Sequence, residues 1–565
     1  MMSPNILFVN LLSLPYLYLE QCLKGESRYD QELVMPKGIL YLSASVKARN
    51  RAARIHLLDY VLGFKESFSA YSDIRHFVQG EAEKYRHLDP NIVAISLMFS
   101  SSHRFFDLVL ETLKGLWPGA VTVAGGVHAT NCTRTLLRHK DLDCVVRGEG
   151  EVAFPEVVEQ LCEGREVKVK GVYHRGNITA TGSLELADHV THLDSLPFPH
   201  WELLDTEPYM TSGGWERDMG DALPRSSATV LTTRGCPHKC TYCSAHTVHG
   251  RKVRYRSVEN VMSEMALLHK RYGVNLFVPE DDYFTANKGR VLGLLREIRK
   301  LGIPNLEMQF TGGININSMD EDILENMIGV GTKMLTLALE SGSPFVQKHI
   351  IKKNVDLDKT RDLIRLCREK GIITRCNVIF GFPGETRELM EEGIEYVKGL
   401  GADWYAVLIA APLIGSEMYN QFLKRGCLKE DVYQWSRTGF QERTFDTEEI
   451  SALELKELVY RVNLDVNFVN NINLRNGNYQ LAVLLFKDVV RNYPFHIFGW
   501  HGLYRALRAM GDSLGAARAL RTMWERVESD NRSKEMYLKY HDLMHLESCP
   551  IVLEGSPRRS ATARS

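Results

Sequence analysis

The chain lacks an excess of charge of either sign. Its 565 residues include 69 Lys and Arg against 70 Asp and Glu, so the formal net charge is −1. A broad basic field of the kind that attracts nucleic acid is therefore absent. A nucleic-acid-binding protein with a structural zinc site would need a basic patch, and this chain lacks one. The densest basic stretch, "GRKVRYRS", favours a solvated loop. We expect no nucleic-acid partner.

Long hydrophobic runs are also missing. No stretch of 18 or more uninterrupted apolar residues occurs, so we expect no membrane span. The apolar segment "NILFVNLLSLPYLYLEQ" has no cationic region before it, and Asn10 and Pro15 interrupt it, which is unlike a signal peptide. Residues Ile6 to Val9 predict a buried first strand instead. These features favour a cytoplasmic protein.

Cysteine is sparse and mostly scattered. The chain has 11 cysteines, an odd number, and no export signal is recognised, which predicts reduced thiols. Eight of them stand alone and are typical of small buried hydrophobic residues. The other three, Cys236, Cys240 and Cys243, lie in "TTRGCPHKCTYCSAH" with the spacing C-x3-C-x2-C. Their proximity indicates a metal centre.

What is present is an alternation of strand and helix patterns. Through about residue 165, fully apolar strands alternate with helices, which predicts a doubly wound parallel sheet covered on both faces. From "ATVLTTRGC" onward, six further strand–helix units, with "LEMQFTGG" as the third strand, predict a partial (β/α)6 barrel, whose active residues lie at the carboxyl ends of the strands. The stretch between these two regions is polar and irregular. The fold class is therefore α/β, followed by an all-α region.

The helical region after residue 450 contains a weak repeat. Gly477 and Gly511 are 34 residues apart, and so are Ala482 and Ala516. This period is that of tetratricopeptide repeats, although two copies are fewer than an independent array needs. An ordinary helical cap without a partner is the alternative. The predicted segments are a sheet domain (1–165), a linker (166–224), a barrel (225–445), a helical tetratricopeptide-like region (446–550) and a disordered basic tail (551–565).

Two kinds of metal centre suit the three cysteines. Zinc requires four ligands, and His246 or His249 would complete a set of three cysteines and one histidine. A 4Fe–4S cluster is also held by cysteine thiolates, and three thiolates leave one iron open for a substrate atom. The motif follows a strand at the start of the barrel, where chemistry is expected, and this position favours the iron–sulfur cluster.

The motif, with Tyr242 before its last cysteine, resembles that of the radical S-adenosylmethionine (radical SAM) superfamily. "GVNLFVPEDDYFTANKGRV", "LTLALESGSPFVQKHIIKKN" and "NVIFGFPGETREL" are similar to later segments of that superfamily's barrel. The N-terminal region is similar to the cobalamin-binding domain that precedes the barrel in one branch. The segments that carry this second similarity are "MPKGILYLSA", "NIVAISL", "VAGGVHAT" and "DCVVRGEGEVAF".

The resemblance implies roles for residues of the barrel. The three cysteines would hold the 4Fe–4S cluster, whose open iron would chelate S-adenosylmethionine. Asp281 and Asp282 would bind substrate, with a helix-capping or solvated acid as the alternative. Glu280 stands where the superfamily places a contact to the methionyl ammonium, although a Gly-Gly-Glu motif is absent. The residues implied to contact S-adenosylmethionine are Tyr242, Glu280, Glu340, Ser341 and Gly381.

The resemblance also implies a cobalamin site. The motif D-x-H-x-x-G, whose histidine ligates cobalt in some cobalamin domains, is absent here. Cobalamin would then bind without a protein histidine below the cobalt, and His128 is expected to be a loop histidine. The residues implied to contact cobalamin are Ser96, Gly125, Gly126, Gly148 and Glu149.

Together these cofactors imply an enzyme that cleaves S-adenosylmethionine to a 5′-deoxyadenosyl radical. The leading function is cobalamin-dependent C-methyl transfer to a small-molecule or peptide substrate, with flavodoxin or ferredoxin as electron donor. Radical cyclisation or oxidation without methyl transfer is the alternative within this class. A non-catalytic iron–sulfur sensor or scaffold with partner-binding repeats is the alternative from another class.

Overall fold

The computed structural model describes residues 3–27, 29, 33–211, 226–429, 439–441 and 443–544. The glycine-rich stretch of the predicted linker, apart from Thr211, and the predicted tail lie outside these residues. The chain forms two compact units, Met1–Val462 and Asn463–Ser565. Within the described residues, no helix has the length and apolar character needed to cross a membrane.

A six-stranded sheet opens the first unit, with the strand order β2-β1-β3-β4-β5-β6. The strands are β1 (Asn5–Asn10), β2 (Arg54–Asp59), β3 (Ile92–Ser96), β4 (Val121–Gly125), β5 (Cys144–Val146) and β6 (Val172–His174). The first five run parallel, and β6 pairs antiparallel with β5. The order reverses between β1 and β3, and ligands of such sheets bind beyond the carboxyl ends of the strands at this switch point.

Helices cover both faces of this sheet, which explains why its strands are apolar throughout. They are α1 (Tyr16–Leu23), α2 (Lys37–Arg49), α3 (Tyr60–Ser67), α4 (Ile74–Glu83), α5 (His103–Leu116), α6 (Val127–Asn131), α7 (Thr133–Leu136) and α8 (Gly150–Cys162). Helices α2 and α8 pack on one face, where Phe8 of β1 contacts Phe154 of α8 with ring centroids 5.6 Å apart. This layer positions the N-termini of both helices near the strand ends.

A second α/β region follows, built from two parallel sheets and a short ribbon. The strands are β7 (Ser227–Val230), β8 (Thr233–Arg234), β9 (Arg254–Tyr255), β10 (Leu276–Pro279), β11 (Glu307–Met308), β12 (Phe310–Ile314), β13 (Met334–Glu340), β14 (Ile373–Phe380) and β15 (Trp404–Ile409). The sheet orders are β11-β10-β7 and β12-β13-β14-β15, and β8 pairs antiparallel with β9. This arrangement is the predicted partial barrel, with parallel strands throughout its two sheets.

One predicted strand of the barrel, "LEMQFTGG", is two strands in the structure. The amide of Gln309 donates to Phe277 of β10 at 3.0 Å, whereas the next residue, Phe310, pairs with Leu335 of β13. The segment therefore passes from one sheet to the other at Gln309. The prediction of a single strand was wrong, because one apolar run carries no signal for a change of pairing partner.

The helices of this region lie between the strands, and side chains cap several of them. They are α9 (Thr206–Thr211), α10 (His246–His249), α11 (Val258–Tyr272), α12 (Lys288–Lys300), α13 (Glu321–Ile328), α14 (Leu357–Glu369), α15 (Arg387–Leu400), α16 (Glu417–Lys424) and α17 (Ala452–Leu464). Ser257, Asn287 and Asp320 each accept an amide hydrogen bond at the start of α11, α12 and α13. Such caps fix where each helix begins after its strand.

The second unit is helical in its described part. The helices are α18 (Ile472–Arg475), α19 (Tyr479–Asn492), α20 (Ile497–Ala509), α21 (Ser513–Ser529) and α22 (Asn531–Tyr540). Helices α19 and α21 begin 34 residues apart, and so do α20 and α22. The helices thus follow the predicted period, and Ala482 and Ala516 are both buried. Assignment to the tetratricopeptide family stays a prediction.

Candidate functional site

A cavity of about 340 Å³ lies beyond the carboxyl ends of β3 and β4. Ser96 and Gly125, the last residues of these strands, line it, and Phe8 and Phe154 form part of its apolar wall. Residues of the barrel region close the other side, among them Arg234 of β8. The cavity is therefore shared by the N-terminal sheet and the start of the barrel.

All five residues predicted to contact cobalamin line this cavity, although they come from three separate loops. A Cβ atom added at Gly125 would meet nothing closer than 3.9 Å, so the missing side chain leaves open space there. Gly126 has φ +109°, and a Cβ atom would lie 2.6 Å from the carbonyl oxygen of Leu97. These glycines form an open cradle at the sheet edge, which fits the approach of a large ligand to the backbone.

Glu149 joins the two regions through charged hydrogen bonds. Arg254 of β9 donates to it through Nη2 at 2.5 Å and Nη1 at 2.8 Å, and His249 lies 2.9 Å away through Nδ1. Burial alone would raise the pKa of Glu149, but Arg254 and His249 outweigh it and hold the pKa well below its usual range. Glu149 is thus a structural anion of the cavity wall, and its predicted contact with cobalamin stays a prediction.

Glu280 follows β10 and lies in the same cavity. Its Oε2 atom is 4.0 Å from the Nζ atom of Lys37, the first residue of α2. Burial raises the pKa of Glu280, and Lys37 opposes this shift. Glu280 was predicted to contact S-adenosylmethionine; the structure groups it with the residues predicted to contact cobalamin.

The cysteine motif forms a tight loop after β8. Gly235 has φ +89°, and a Cβ atom there would lie 2.4 Å from the carbonyl oxygen of Lys252, so only glycine fits. The amide of Cys236 donates to Gly250 at 3.4 Å, and the amide of Cys243 donates to Cys240 at 3.2 Å. All three cysteine side chains are half-buried and free.

The surroundings of the three thiols bear on the two predicted centres. Within the described ranges, no three His, Cys, Asp or Glu side chains come close enough together to hold one metal ion. A single zinc site is therefore not preformed, and His249 is instead bonded to Glu149. In a 4Fe–4S cluster each thiolate binds its own iron, so such a cluster does not require the three side chains to meet at one ion.

Two aspartates after β10 bind backbone amides of the segment that leads into the cysteine loop. Asp281 accepts the amide of Thr232 at 2.6 Å and the amide of Thr233 at 2.8 Å. Asp282 accepts the amide of Gly235 at 2.7 Å. Both residues were predicted to bind substrate. The carboxylates of Asp281 and Asp282 thus hold the backbone that leads into the cysteine loop, and we call these two residues the clamp.

A second group of predicted residues meets at the carboxyl end of β13. Tyr242 donates to Oε1 of Glu340 at 3.3 Å, and Lys353 donates to the same atom at 2.8 Å. Glu340 has φ +68°, an uncommon backbone conformation for a residue with a side chain. Ser341 follows it and is fully buried. The structure thus brings Tyr242 and Glu340 together beside the cysteine loop.

Gly381 directly follows the next strand, β14, in a turn that requires glycine. It has φ +86°, and a Cβ atom would lie 2.4 Å from Leu455. Its amide donates to Oε2 of Glu385 at 2.7 Å. Burial raises the pKa of Glu385 to about 8, while the Phe382 and Gly381 amides and Arg443 lower it less. Glu385 therefore shapes the turn that was predicted to contact S-adenosylmethionine.

Sequence reasoning missed several residues of these sites. Lys353 and Glu385 stand inside quoted motifs, "QKHIIKKN" and "FGFPGETREL", but no spacing rule marks either as a partner of Glu340 or Gly381. Lys37 and Tyr41 stand in "MPKGILYLSA" at positions i and i+4, which share a helix face. The i, i+4 spacing of Lys37 and Tyr41 was the sequence signal that could have identified them as a pair. Arg254 was interpreted as part of a solvated loop, and that interpretation was wrong, because it is buried against Glu149.

Two family models match the chain. The radical SAM superfamily model matches residues 230–397, which include the cysteine motif, β10 and β13. The B12 binding domain model matches residues 65–158, which include the glycine cradle and Glu149. A B12-binding sheet followed by a radical SAM barrel defines the class of protein.

Relatives with assigned names support this class. An uncharacterized methyltransferase of Pyrococcus horikoshii is 28% identical over 395 residues, which are 70% of this chain and 79% of that protein. The cytidylyl-2-hydroxyethylphosphonate methyltransferase of Streptomyces wedmorensis is 28% identical over 408 residues, or 67% of this chain and 75% of that protein. The chain thus contains a B12-binding domain followed by a radical SAM domain, and these domains imply a 4Fe–4S cluster, S-adenosylmethionine and cobalamin as its cofactors.

Solved structures show the same fold. The cobalamin-dependent radical enzyme OxsB, with aqua-cobalamin and S-adenosylmethionine bound, has a TM-score of 0.61 at 14% identity and covers 96% of this chain and 76% of its own. The methyltransferase TsrM from Kitasatospora setae, with cobalamin and a 4Fe–4S cluster bound, has a TM-score of 0.55 at 17% identity and covers 74% of each chain. The predicted fold class, superfamily and cofactors are confirmed, whereas the residue roles and domain boundaries stay predictions.

Proposed function

We propose that the protein is a cobalamin-dependent radical SAM C-methyltransferase. The observation that carries this proposal is the single cavity shared by the B12-binding sheet and the first strands of the radical SAM barrel. Methyltransferases from Pyrococcus horikoshii and Streptomyces wedmorensis match over about two thirds of the chain, which supports methyl transfer as the outcome.

The cofactors supply, when bound, hydrogen abstraction from an unactivated carbon and a transferable methyl group. The chain's own residues position and enclose them. Cys236, Cys240 and Cys243 would hold the cluster, and the clamp formed by Asp281 and Asp282 would fix the loop on which they stand. The apolar cavity walls would exclude water, which would otherwise compete for reactive groups.

Contacts to S-adenosylmethionine are proposed for the residues beside the cysteine loop. Tyr242 and Glu340 lie within hydrogen-bonding reach of each other, and Lys353 compensates the buried carboxylate of Glu340. Gly381 lets the β14 turn approach closely, and Ser341 offers a buried hydroxyl. Glu280 would contact S-adenosylmethionine or cobalamin from the cavity side.

The chemistry of the site indicates a class of substrate, an electron donor and a cellular compartment. The cavity volume suits part of a cofactor together with a small-molecule substrate. Reduction of the cluster requires an electron donor such as flavodoxin or ferredoxin, and reduced thiols and an oxygen-sensitive cluster fit the cytoplasm.

The proposal is tested by anaerobic turnover of the reconstituted protein with candidate substrates and S-adenosylmethionine labelled in its methyl group. We expect the label in the product, together with release of 5′-deoxyadenosine. The variant Cys240→Ala should release none while still binding cobalamin, as followed by the visible spectrum. A labelled product formed equally by Cys240→Ala would contradict the role of the cluster.

A second outcome is favoured by another group of relatives. The anaerobic magnesium-protoporphyrin IX monomethyl ester cyclase of Cereibacter sphaeroides is 28% identical over 325 residues, which are 55% of this chain and 50% of that protein. Release of 5′-deoxyadenosine with an oxidised or cyclised, unlabelled product would favour this radical cyclase or oxidoreductase function over methyl transfer.

A further inference from the structure

Three buried side chains that line this cavity carry donor atoms without a hydrogen-bond partner. They are Lys37 and Tyr41 of α2, which are 8% and 4% exposed, and Arg234 of β8, which is 4% exposed. The orphaned atoms are Nζ of Lys37, the hydroxyl of Tyr41, and Nε and Nη1 of Arg234. Leaving four such donors unsatisfied is costly, because each loses its bonds to water on burial.

These donors converge from two elements. Lys37 and Tyr41 are one helical turn apart and therefore stand on the same face of α2. The guanidinium of Arg234 lies 5.5 Å from the centre of the Tyr41 ring. The first turn of α2 adds the residues Gly38 and Ile39 to the cavity wall, and first-turn amides have no acceptor inside a helix.

The acids that face this group are already engaged or too distant to satisfy it. Glu151 accepts from Nη2 of Arg234 at 2.5 Å, and the other two nitrogens of this guanidinium make no hydrogen bond. Glu149 is saturated by Arg254 and His249 and lies 3.6 Å from Nη1 of Arg234. Glu280 is 4.0 Å from Lys37, beyond hydrogen-bonding distance.

Two further charges stand behind the group. Arg256 and Glu264 form a buried ion pair through Oε2 of Glu264, while Oε1 of Glu264 makes no hydrogen bond to Lys37 or Tyr41. The four donor atoms therefore make no hydrogen bond, and two of the three side chains that carry them are basic. The complement of such a set is a group with several acceptor oxygens and a negative charge.

We propose that Lys37, Tyr41 and Arg234 form an oxyanion subsite, which binds a phosphate or carboxylate group of the ligand that occupies the cavity. This inference rests on the proposed function, in which cobalamin enters the cavity. Two sources supply the same chemistry: the phosphodiester of the cobalamin nucleotide tail, and an oxyanion carried by the substrate.

The test compares ligands that differ in one phosphate. The apoprotein is titrated with cobinamide and with cobinamide phosphate, and binding is followed by the corrinoid absorbance. If the tail supplies the oxyanion, we expect the phosphate form to bind about 10- to 100-fold more tightly, which is the range of a charged hydrogen-bonded contact. Lys37→Met should remove most of this preference, and Tyr41→Phe should reduce it about threefold to tenfold. Cobinamide itself should bind all of these proteins alike.

A second arm addresses the substrate as source. If both corrinoids bind the wild-type protein equally, the cobinamide complex is titrated with inorganic phosphate by calorimetry. Binding that is lost in Lys37→Met would assign the oxyanion to the substrate. Absence of both effects overturns the subsite. The proposed function fails separately, if neither corrinoid binds at all.

Controls separate local chemistry from damage to the fold. Lys65→Met removes an exposed lysine of the same domain, on α3, and should leave every affinity unchanged. Thermal unfolding of the apoprotein variants should match that of the wild type, because Lys37→Met removes a poorly paired buried charge. An equal loss of phosphate preference in Lys65→Met would mean that the effect is general electrostatics and would overturn the subsite.

Discussion

At the scale of single residues, the buried pair of Lys353 and Glu340 is the most tightly constrained feature of the barrel. Both side chains are more than nine-tenths buried, and Glu340 holds an uncommon positive φ at the end of a strand. Residues in such conformations persist only where their surroundings hold them, and they cluster at functional sites. The position of Glu340 beside Tyr242 and the cysteine loop agrees with that tendency.

Removal of one partner of this pair should be worse than removal of both charges. Lys353→Met leaves a buried carboxylate without its cation, and we expect a loss of about 3–5 kcal/mol in the free energy of unfolding. The double variant with Glu340→Gln should recover to within about 1–2 kcal/mol of the wild type, since no uncompensated charge remains. Urea denaturation of the apoproteins measures both values. Equal stability of the single and double variants would contradict the pairing.

A second residue-scale feature is a buried histidine pair in the N-terminal domain. Nδ1 of His103 lies 2.8 Å from Nε2 of His128, and Nε2 of His103 lies 3.8 Å from Asp107. Burial lowers the pKa of His103 to about 4 and that of His128 to about 3, whereas burial raises the pKa of Asp107 to about 7. His128, expected to be a loop histidine, is instead a buried residue of α6.

These shifts predict how stability changes with pH. Between about pH 6.5 and 4, unfolding lets both histidines take up a proton, while Asp107 releases one, so the net uptake is about one proton. The contribution of these three groups to stability should therefore fall as the pH falls through this window, by about 1.4 kcal/mol per pH unit. His139 nearby also lowers the pKa of His103 and is unchanged in the test.

The variant Asp107→Asn tests this balance. Without the opposing carboxyl group, net uptake should rise by about one proton, and the slope of the free energy of unfolding against pH should steepen by about 1.4 kcal/mol per pH unit. Urea denaturation between pH 4.5 and 6.5 gives the slope. Glu66→Gln, which changes an exposed acid on α3 of the same domain, provides the control. A slope unchanged in Asp107→Asn would show that the carboxyl group does not titrate in this window.

At the scale of elements, the loop that carries the cysteines is held from outside by the residues after β10. Asp281 binds two successive amides before the loop, and Asp282 binds the amide of Gly235, so the two carboxylates fix the backbone between β7 and Cys236. Preorganised ligand loops lose less conformational freedom on binding a metal centre.

We therefore expect Asp281→Asn and Asp282→Ala to reduce the iron and sulfide retained after anaerobic reconstitution, by about half or more. Asp322→Asn is the matched control, because Asp322 is an exposed acid of the same region that pairs with Lys288. Iron analysis and the electron paramagnetic resonance signal of the reduced cluster measure the effect. Full cluster content in both variants would show that the clamp does not position the cysteines.

The elements also show what sequence reasoning can reach. Apolar strands such as β1, β3 and β13 were predictable because both of their faces are buried, and the cysteine spacing was predictable because it is local. Helix α8 and strand β6 were not predicted. The change of sheet at Gln309 was not predicted either, because the pairing partners of a strand are chosen by tertiary context. The same limit hid the contact between Glu149 and Arg254, which are 105 positions apart.

At the scale of the whole molecule, charged contacts couple the B12-binding sheet to the radical SAM barrel. Glu149 and Glu151, at the start of α8, bind Arg254 and Arg234 of the β8–β9 ribbon, and all four side chains are buried. Buried ion pairs of this kind contribute little net stability, but breaking one leaves an uncompensated charge. They therefore fix the register of the two domains around the cavity and keep its wall in one arrangement.

Because both domains line the cavity, a ligand that fills it should stabilise both together. At a free cobalamin concentration about 100 times the dissociation constant, we expect about 2.7 kcal/mol of added stability. Hydrogen exchange should slow in the loops after β3 and β4 and also in the β8–β9 ribbon. Gly125→Leu should abolish this protection, because its side chain would occupy space that is now open to 3.9 Å. Protection confined to the N-terminal loops would contradict a shared cavity, since Arg234 and Glu280 belong to the barrel.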